Sequence, residues 1–321
     1  MKKSKKIILT LSAVTLTAGV LFTGIGYMNG GRFGFAFSDG KFISADSMEK
    51  EKRPFIMEKK KLDSVKNIDI KILSYANIQI LPSSDNAFYL EYNLPGEYPK
   101  PVFSCTDGTL TLTQEDREPI AIVGFGFHAS QNSECSVTLY VPKKAELNSC
   151  SLYSDSGNIQ ASDLTASDFG LGCDYGDVSF TDTEVSDVGT FTLDSGNFSA
   201  NTSTVKAITV KNDSGNVLLN QFSSESAVFT LSYGDLDLTA TKLGSFDCKS
   251  ENGNVSIQLP DPFDSYGFNL HTEYGEIALP SAKETALISE EEDSFEVSYR
   301  TNSEAKHKIQ VECENGNIRI G

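Results

Sequence analysis

The stretch LDSGNFSANTSTVKAITVKNDSGNVLLN, residues 193–220, decides the fold of this 321-residue chain. It contains two Ser-Gly-Asn turns, centred on Gly196 and Gly215, with alternating apolar and polar residues on both sides. The same turn recurs along the chain, with successive gaps of 19, 20, 19, 19, 19, 22 and 41 residues, at Gly157, Gly176, Gly196, Gly215, Gly234, Gly253, Gly275 and Gly316. A fixed period near twenty residues is typical of stacked, solenoid-like proteins.

Each repeat has the same order of residue types around its glycine. Asn, Asp or Glu follows the glycine, and the second and fourth residues after it are apolar, as Phe198 and Ala200 are after Gly196. Period-two alternation places these apolar residues on one face. Gly and Asn tolerate the positive φ of a tight turn. Each repeat is therefore predicted to be two short strands joined by a glycine turn.

A single repeat exposes its apolar face, so the repeats are predicted to stack about 4.8 Å apart and bury a continuous core. The predicted fold class is all-β: a parallel β-solenoid (β-helix) of about 19–20 residues per coil, with a β-sandwich as the alternative. Residues 149–321 form the regular repeats. Residues 62–148 form an irregular N-terminal part of the solenoid, or a cap, with a degenerate first turn at Ala76 and Asn77. The 41-residue gap indicates a coil without its glycine, in which Phe295 and Val297 supply the apolar alternation.

The segment 120–128 is rich in Gly and Phe and does not match the repeat. One interpretation is a cap that folds over the exposed end of the core. The other is a flexible hydrophobic loop that meets a partner or the membrane.

The N-terminus has the pattern of a membrane anchor. Residues 1–6 form a basic tail with four lysines, and residues 7–28 form an uncharged run long enough to cross a bilayer as a helix. The lysines favour a cytoplasmic tail, so we expect a single-pass protein of the cell membrane with an extracellular C-terminal domain. Residues 29–61 are predicted to be a linker. The alternative is a cleaved signal peptide.

The charge of the chain limits its partners. The formal net charge is −17, and the first 32 residues hold five basic groups and no acid, so the exported remainder is five charges more negative still. Such a surface repels nucleic acid and anionic headgroups. It suits cations, cationic partners or solubility.

The six cysteines do not read as a disulfide framework. Cys150, Cys173, Cys248 and Cys313 fall at inward-facing positions of their repeats. A disulfide needs Cα atoms within about 7 Å, so these four are predicted to be buried free thiols. Cys105 and Cys135 lie in the irregular part, where the pattern leaves a bridge open.

An acidic residue stands two positions before seven of the eight glycines. Stacking turns these residues into a stripe, of which Asp155, Asp174, Asp194 and Asp213 form the most regular part. Oxygen-rich ladders bind Ca²⁺, so these four are the candidate metal ligands. The alternative is a solvated edge, because Asp and Asn bond their own backbone in turns. No other cofactor is predicted.

Nothing in the sequence has the spacing of a catalytic motif. The three histidines form no metal-binding pair, and no Gly-x-Ser-x-Gly elbow is present. A polysaccharide-active β-helix enzyme, with paired Asp residues as acid and base, is the alternative function. Tyr175, Tyr233 and Tyr274 directly precede their glycines. They either stack on a sugar or lie half-buried against the next turn.

The chain resembles the bacterial domain of unknown function known as the "putative adhesin" domain. The resemblance rests on the Ile78–Pro82 and Leu139–Pro142 strands and on the repeated Ser-Gly-Asn and Tyr-Gly-Asp turns after a membrane segment. It implies an exported bacterial β-solenoid, in some cases linked to cell-envelope stress. The predicted function is a non-enzymatic cell-surface interaction protein whose partner is a surface protein or a glycan.

The carboxyl end predicts one further contact. The last coil, residues 308–320, ends one residue before the chain does. Solenoids usually need a polar capping segment, and an open strand edge pairs readily with another strand. The sequence therefore predicts end-to-end self-association through Ile318 and Ile320.

Overall fold

The structure is a computed structural model that describes residues 3–29, 35–38, 41–44, 53–117, 121–123, 134–143, 145–280, 288–289, 296–301 and 304–321. The chain divides into two compact units. The first contains Met1–Pro54 and Arg117–Ser133, and the second contains Phe55–Asp116 and Glu134–Gly321.

The described elements are one long α-helix, one short 3₁₀ helix at Phe263–Ser265 and a large number of strands. In chain order they are α1 Lys3–Met28, β1 Phe35–Ser38, β2 Lys41–Ser44, β3 Phe55–Leu62, β4 Asn67–Tyr75, β5 Asn77–Pro82, β6 Phe88–Leu94, β7 Val102–Thr106, β8 Thr109–Gln114, β9 Ala121–Val123, β10 Ser136–Val141, β11 Glu146–Ser156, β12 Ile159–Ser162, β13 Thr165–Tyr175, β14 Val178–Thr181, β15 Glu184–Ser195, β16 Phe198–Asn201, β17 Thr204–Ser214, β18 Val217–Tyr233, β19 Leu236–Asn252, β20 Val255–Gln258, β21 Tyr266–Tyr274, β22 Ile277–Ala278, β23 Ile288–Ser289, β24 Val297–Thr301, β25 His307–Asn315 and β26 Ile318–Ile320.

The first unit contains the apolar helix and a small antiparallel sheet in the order β2-β1-β9. Lys5–Met28 in α1 has a mean hydropathy of 1.9 over its most apolar window, and it is long and apolar enough to cross a membrane. A signal sequence near the N-terminus can satisfy the same criteria of length and hydropathy. Strand β9 is the described part of the Gly- and Phe-rich segment 120–128, and it pairs with β1. The rest of that segment lies outside the described residues, so the choice between cap and loop stays a prediction.

The second unit is a stack of parallel strands in two columns. The first column contains, in spatial order, β8, β4, β11, β13, β15, β17, the second halves of β18 and β19, β25 and β21. The second contains β10, β5, β12, β14, β16, the first halves of β18 and β19, β20, β26 and β22. A strand from each column, joined at a glycine turn, makes one coil of a solenoid-like fold.

The core lies between the two columns, where alternation directs the apolar side chains. Phe198, Val217 and Leu236 are in register on successive coils, and each is at most 1% exposed. This confirms that the three side chains stack as one internal column. Burying such a side chain contributes about 1.5–3 kcal/mol, and the contribution repeats with every coil.

Antiparallel strands cover the N-terminal end of both columns. Strand β7 pairs with β8, β6 pairs with β10, and β3 pairs with β6. Part of the interval predicted to be a linker, residues 29–61, therefore belongs to the main sheet as β3. The sequence missed it because the run of Lys59, Lys60 and Lys61 breaks the apolar alternation. Lysines on an edge strand oppose pairing with another chain.

The C-terminal end departs from chain order. Strand β25 lies between β19 and β21, and β26 lies between β20 and β22. The last coil of the sequence is thus enclosed on both sides, and the predicted open edge at Ile318 and Ile320 is wrong. The supposed coil without a glycine is also wrong, because Val297 begins β24, which runs antiparallel to β21. Phe295 lies outside the described residues.

Candidate functional site

The glycine turns form a continuous ladder along one edge of the stack. In each coil the residue after the glycine accepts, through its side-chain Oδ1, a hydrogen bond from the backbone N–H of the equivalent residue in the next coil. The bonds are 2.7–3.0 Å long. In spatial order the rungs are Asn77, Asn158, Asp177, Asn197, Asn216, Asp235, Asn254, Asn317 and Glu276. The ladder starts at Asn77, as expected for a degenerate first turn.

The glycines of this ladder leave no room for a side chain. A Cβ at Gly215 would lie 2.0 Å from the carbonyl oxygen of Gly196, and one at Gly234 would lie 2.1 Å from that of Gly215. The φ angles are +136° and +132°, in a region that L residues rarely adopt. The turns at Gly215 and Gly234 therefore need glycine for two reasons, the backbone conformation and the close approach of the neighbouring coil.

Small polar side chains brace the inner side of the turns, three residues before the glycine. Asn212 is buried, and its Nδ2 donates to the carbonyl oxygens of Gly196 (3.2 Å) and Gly215 (3.0 Å). Thr272 donates from Oγ1 to the carbonyl oxygen of Gly316 at 2.8 Å. Sequence reasoning missed this column because a polar residue at an inward position breaks the apolar pattern. These bonds satisfy glycine carbonyl groups of the turns from the inner side.

The acidic stripe follows the register expected from the repeat. Asp155, Asp174, Asp194 and Asp213 precede residues paired on successive coils, and Asp174 accepts a hydrogen bond from the Tyr153 hydroxyl at 2.7 Å. Burial, that bond and the nearby acids raise the pKa of Tyr153. Within the described residues, no group of three or more His, Cys, Asp or Glu side chains is placed to hold a metal ion. Calcium binding by these four aspartates stays a prediction.

The three tyrosines of the turns project from the same edge. Tyr175, Tyr233 and Tyr274 are 63%, 60% and 59% exposed, so the half-buried alternative is wrong. We call the positions directly before each glycine the tyrosine ridge. In spatial order they hold Ser156, Tyr175, Ser195, Ser214, Tyr233, Asn252, Asn315 and Tyr274. The tyrosines thus recur every third coil, roughly 14 Å apart at the usual strand spacing.

All six cysteines are reduced, so Cys105 and Cys135 form no bridge in this structure. Five are buried, and Cys105 is half-buried. Burial raises the pKa of Cys313 to about 12, and burial together with nearby aspartates raises that of Cys173 to about 11. These thiols act as packing groups, because at neutral pH almost none is thiolate.

A second surface feature, absent from the sequence predictions, lies on the outer face of the C-terminal end. A cavity of about 670 Å³ is lined by side chains of β21, β24 and β25, among them Asn269, Arg300, Lys308 and Gln310. A smaller cavity of about 230 Å³ continues past His271 and Glu312. We call the larger cavity the polar groove. No sequence signal pointed to it, because its residues meet only through the changed coil order.

A match to a family profile identifies the family of the chain. The profile of the Toastrack DUF4097 family, a domain of unknown function, matches residues 65–321. This chain belongs to that family. The Toastrack match confirms the predicted resemblance over residues 65–321. No curated protein matches the chain.

One solved structure supports the fold, and two others are similar at lower TM-scores. A "putative adhesin" from Bacteroides fragilis NCTC 9343 is 12% identical with a TM-score of 0.50, over 83% of this chain and 97% of that one. A "putative adhesin" from Parabacteroides distasonis ATCC 8503 has a TM-score of 0.40 at 12% identity, over 83% and 97%. A "putative lipid binding protein" from the same organism has a TM-score of 0.31 at 12% identity, over 84% and 97%. At these identities the first likeness supports the fold alone, and the other two carry no argument.

Proposed function

We propose that this Toastrack protein is a non-enzymatic interaction protein of the bacterial cell surface. Its stack is a parallel β-solenoid of about 19–20 residues per coil, held at the membrane by α1 with the stack outside the cell. It binds a surface glycan, or a surface protein, through the three tyrosines of the tyrosine ridge. The observation that carries the proposal is the exposure of Tyr175, Tyr233 and Tyr274 along one edge of the stack.

The ridge suits an extended ligand because hydrogen bonds hold the backbone that carries its aromatic rings. The ladder bonds and the buried Asn212 fix the backbone on both sides of the turns. Binding to a preorganised surface loses less conformational entropy than binding to mobile loops. Tyrosine offers an apolar ring face with a polar tip, which suits sugar rings as well as peptides. Three rings about 14 Å apart would contact successive segments of one extended chain.

The name of one similar structure adds support for an interaction role. The Bacteroides fragilis protein with a TM-score of 0.50 is called a "putative adhesin". The polysaccharide-active enzyme remains the alternative, and the same experiment separates the two. A link to cell-envelope stress is a prediction from the family resemblance.

A glycan array probed with the full-length chain in detergent tests the proposal. Wild type should retain one class of glycan without releasing shortened products, which chromatography of the incubated glycan would reveal. The triple variant Tyr175→Ser, Tyr233→Ser, Tyr274→Ser should lose at least 10-fold in affinity, since aromatic stacking contributes on the order of 1 kcal/mol per ring. Serine occupies the same position in other coils, so the variant should fold.

A matched control changes the same ridge without removing an aromatic ring. Asn252→Ser with Asn315→Ser should leave glycan affinity unchanged. Equal loss in both variants, or none in the tyrosine variant, contradicts binding through the tyrosines. Released products would support the enzyme.

The orientation of the chain has its own test. Protease added to intact cells should remove the stacked unit and spare the lysine-containing end, because the lysines favour the cytoplasmic side. Spontaneous release of a soluble form lacking α1 would support a signal peptide.

A further inference from the structure

We infer that the polar groove binds an anionic sugar, through a carboxylate or a phosphate group. The groove lies away from the glycine turns, on the outer face of the C-terminal end. The inference goes beyond the proposed function, since it uses different residues and a different ligand chemistry.

The altered coil order assembles the groove. Strand β25 contributes Lys308 and Gln310, β21 contributes Gly267 and Asn269, and β24 contributes Arg300. In register, Lys308 lies beside Gly267, and Asn269 lies between Gln310 and Arg300. Two carboxamides and two cations therefore surround a position where glycine supplies no side chain. Such a set has donors for an anion and acceptors for hydroxyl groups.

The two cations of the groove are not neutralised by described residues. Five lysines elsewhere on the unit form ion pairs with Asp or Glu, namely Lys143, Lys206, Lys211, Lys242 and Lys249. Among the residues that the structure describes, Arg300 and Lys308 form none. The chain has 44 acidic and 27 basic residues, so carboxylates are plentiful elsewhere. Among the described residues that line the groove, Arg300 and Lys308 are the charged ones and both are cations, which favours an anion.

Arg300 is already oriented for such a ligand. Its Nε donates to Oδ1 of Asn269 at 3.0 Å, which fixes the plane of the guanidinium. The terminal nitrogens present the geometry that matches a carboxylate or phosphate with two hydrogen bonds. Little side-chain entropy is then lost on binding.

The size and the far end of the groove indicate a sugar as the rest of the ligand. A cavity of about 670 Å³ lies in the range of small-molecule sites. Beyond Arg300 the surface is formed by His271 and Glu312. The Nδ1 atom of His271 lies 3.0 Å from Oγ of Ser298, and Glu312 forms an ion pair with Lys249 at 3.6 Å. This end disfavours a second anion and offers partners for hydroxyl groups. One acidic group followed by several hydroxyls describes a uronic acid or a sugar phosphate.

Calorimetric titration of the full-length chain in detergent tests the inference, with glucuronate, glucose 1-phosphate, inorganic phosphate and glucose as probes. At least one anionic sugar should bind at least 10-fold more tightly than glucose, and added salt should weaken it. Tighter binding of glucuronate would show that the anionic group of the ligand is a carboxylate. Tighter binding of glucose 1-phosphate would show that it is a phosphate. Equal binding of inorganic phosphate overturns the assignment to a sugar.

Two variants complete the test. Arg300→Gln with Lys308→Gln should reduce the affinity at least 10-fold, while the control Lys206→Gln with Lys242→Gln, which also removes two exposed cations, should not. The triple tyrosine-to-serine variant should bind the anionic sugar like wild type, so the two proposals can fail separately. Equal affinity in the Arg300 and Lys308 variant and in wild type, or no preference for either anionic sugar over glucose, overturns the inference.

Discussion

The middle of the stack and its C-terminal end use the same repeat in different ways. From Gly157 to Gly253 each coil pairs with the next coil in the chain. After Gly253 the next coil in space contains Gly316, and the coil of Gly275 comes last. The repeat itself is unchanged, since Gly316 and Gly275 approach the preceding carbonyl oxygens as closely as the earlier glycines do.

This difference shows which features of the fold are determined by neighbouring residues and which are determined by distant ones. Register within a coil follows from alternation and from the glycine turn, which neighbouring residues determine. The order of the coils depends on which strands pair with each other. Two coils can pair whenever their strands have the same register, so the local pattern does not determine the order. In the middle, a short connection permits only the next position. At the end, the longer connection between β22 and β25 allows the last coil to enter the stack before the one preceding it.

The largest expected effect tests the glycine turns of the middle. Gly215→Ala places a Cβ against backbone atoms of Gly196, which cannot move without shifting a coil. We expect a loss of about 2–4 kcal/mol in the free energy of unfolding, measured by denaturant titration. The control is Gly170→Ala, where a Cβ meets nothing within 4 Å, and it should change stability by less than about 0.5 kcal/mol. Equal stability of both variants would contradict the close approach of the coils.

A smaller effect tests the side-chain ladder. Asn216→Ala removes the acceptor for the backbone N–H of Asp235. Water replaces it at this exposed edge, so the loss should be about 1 kcal/mol. Asn216→Asp keeps the acceptor, as Asp177 and Asp235 do in their own coils, and should stay close to wild type. If Asn216→Asp lowered the free energy of unfolding more than Asn216→Ala does, the side-chain oxygen of residue 216 would not be the stabilising group.

The smallest expected effect concerns calcium on the acidic stripe. At a calcium concentration equal to the dissociation constant, binding to the folded state would contribute about 0.4 kcal/mol and raise the melting temperature by about 1 °C. Asp174→Asn with Asp194→Asn should abolish the shift. Magnesium at the same ionic strength is the control, and equal shifts with both cations would indicate screening rather than a site.

Much of the middle was predictable from sequence, and little of the end was. Alternation around the glycines predicted the buried column of Phe198 and Val217 and the inward-facing free cysteines, because both depend on local periodicity. Strand β3 was missed because its lysines mask a strand pattern. The antiparallel strand β24 was predicted to belong to a further coil because Val297 fits the apolar alternation. That alternation is the same in parallel and antiparallel strands. The groove at Arg300 and Lys308 was missed because residues from three strands meet only after the coils are ordered.

Disulfide cross-linking tests the order of the coils, on which the groove depends, most directly. Lys249 and Glu312 are in register on neighbouring coils, and Glu312 separates Lys249 from His271. Mild oxidation followed by peptide mass spectrometry should therefore detect a bridge in Lys249→Cys with Glu312→Cys, because a disulfide needs Cα atoms within about 7 Å. The native thiols Cys248 and Cys313 have raised pKa values and should not compete. Lys249→Cys with His271→Cys should remain reduced, whereas a bridge in this second pair and none in the first would show that the coils stack in chain order.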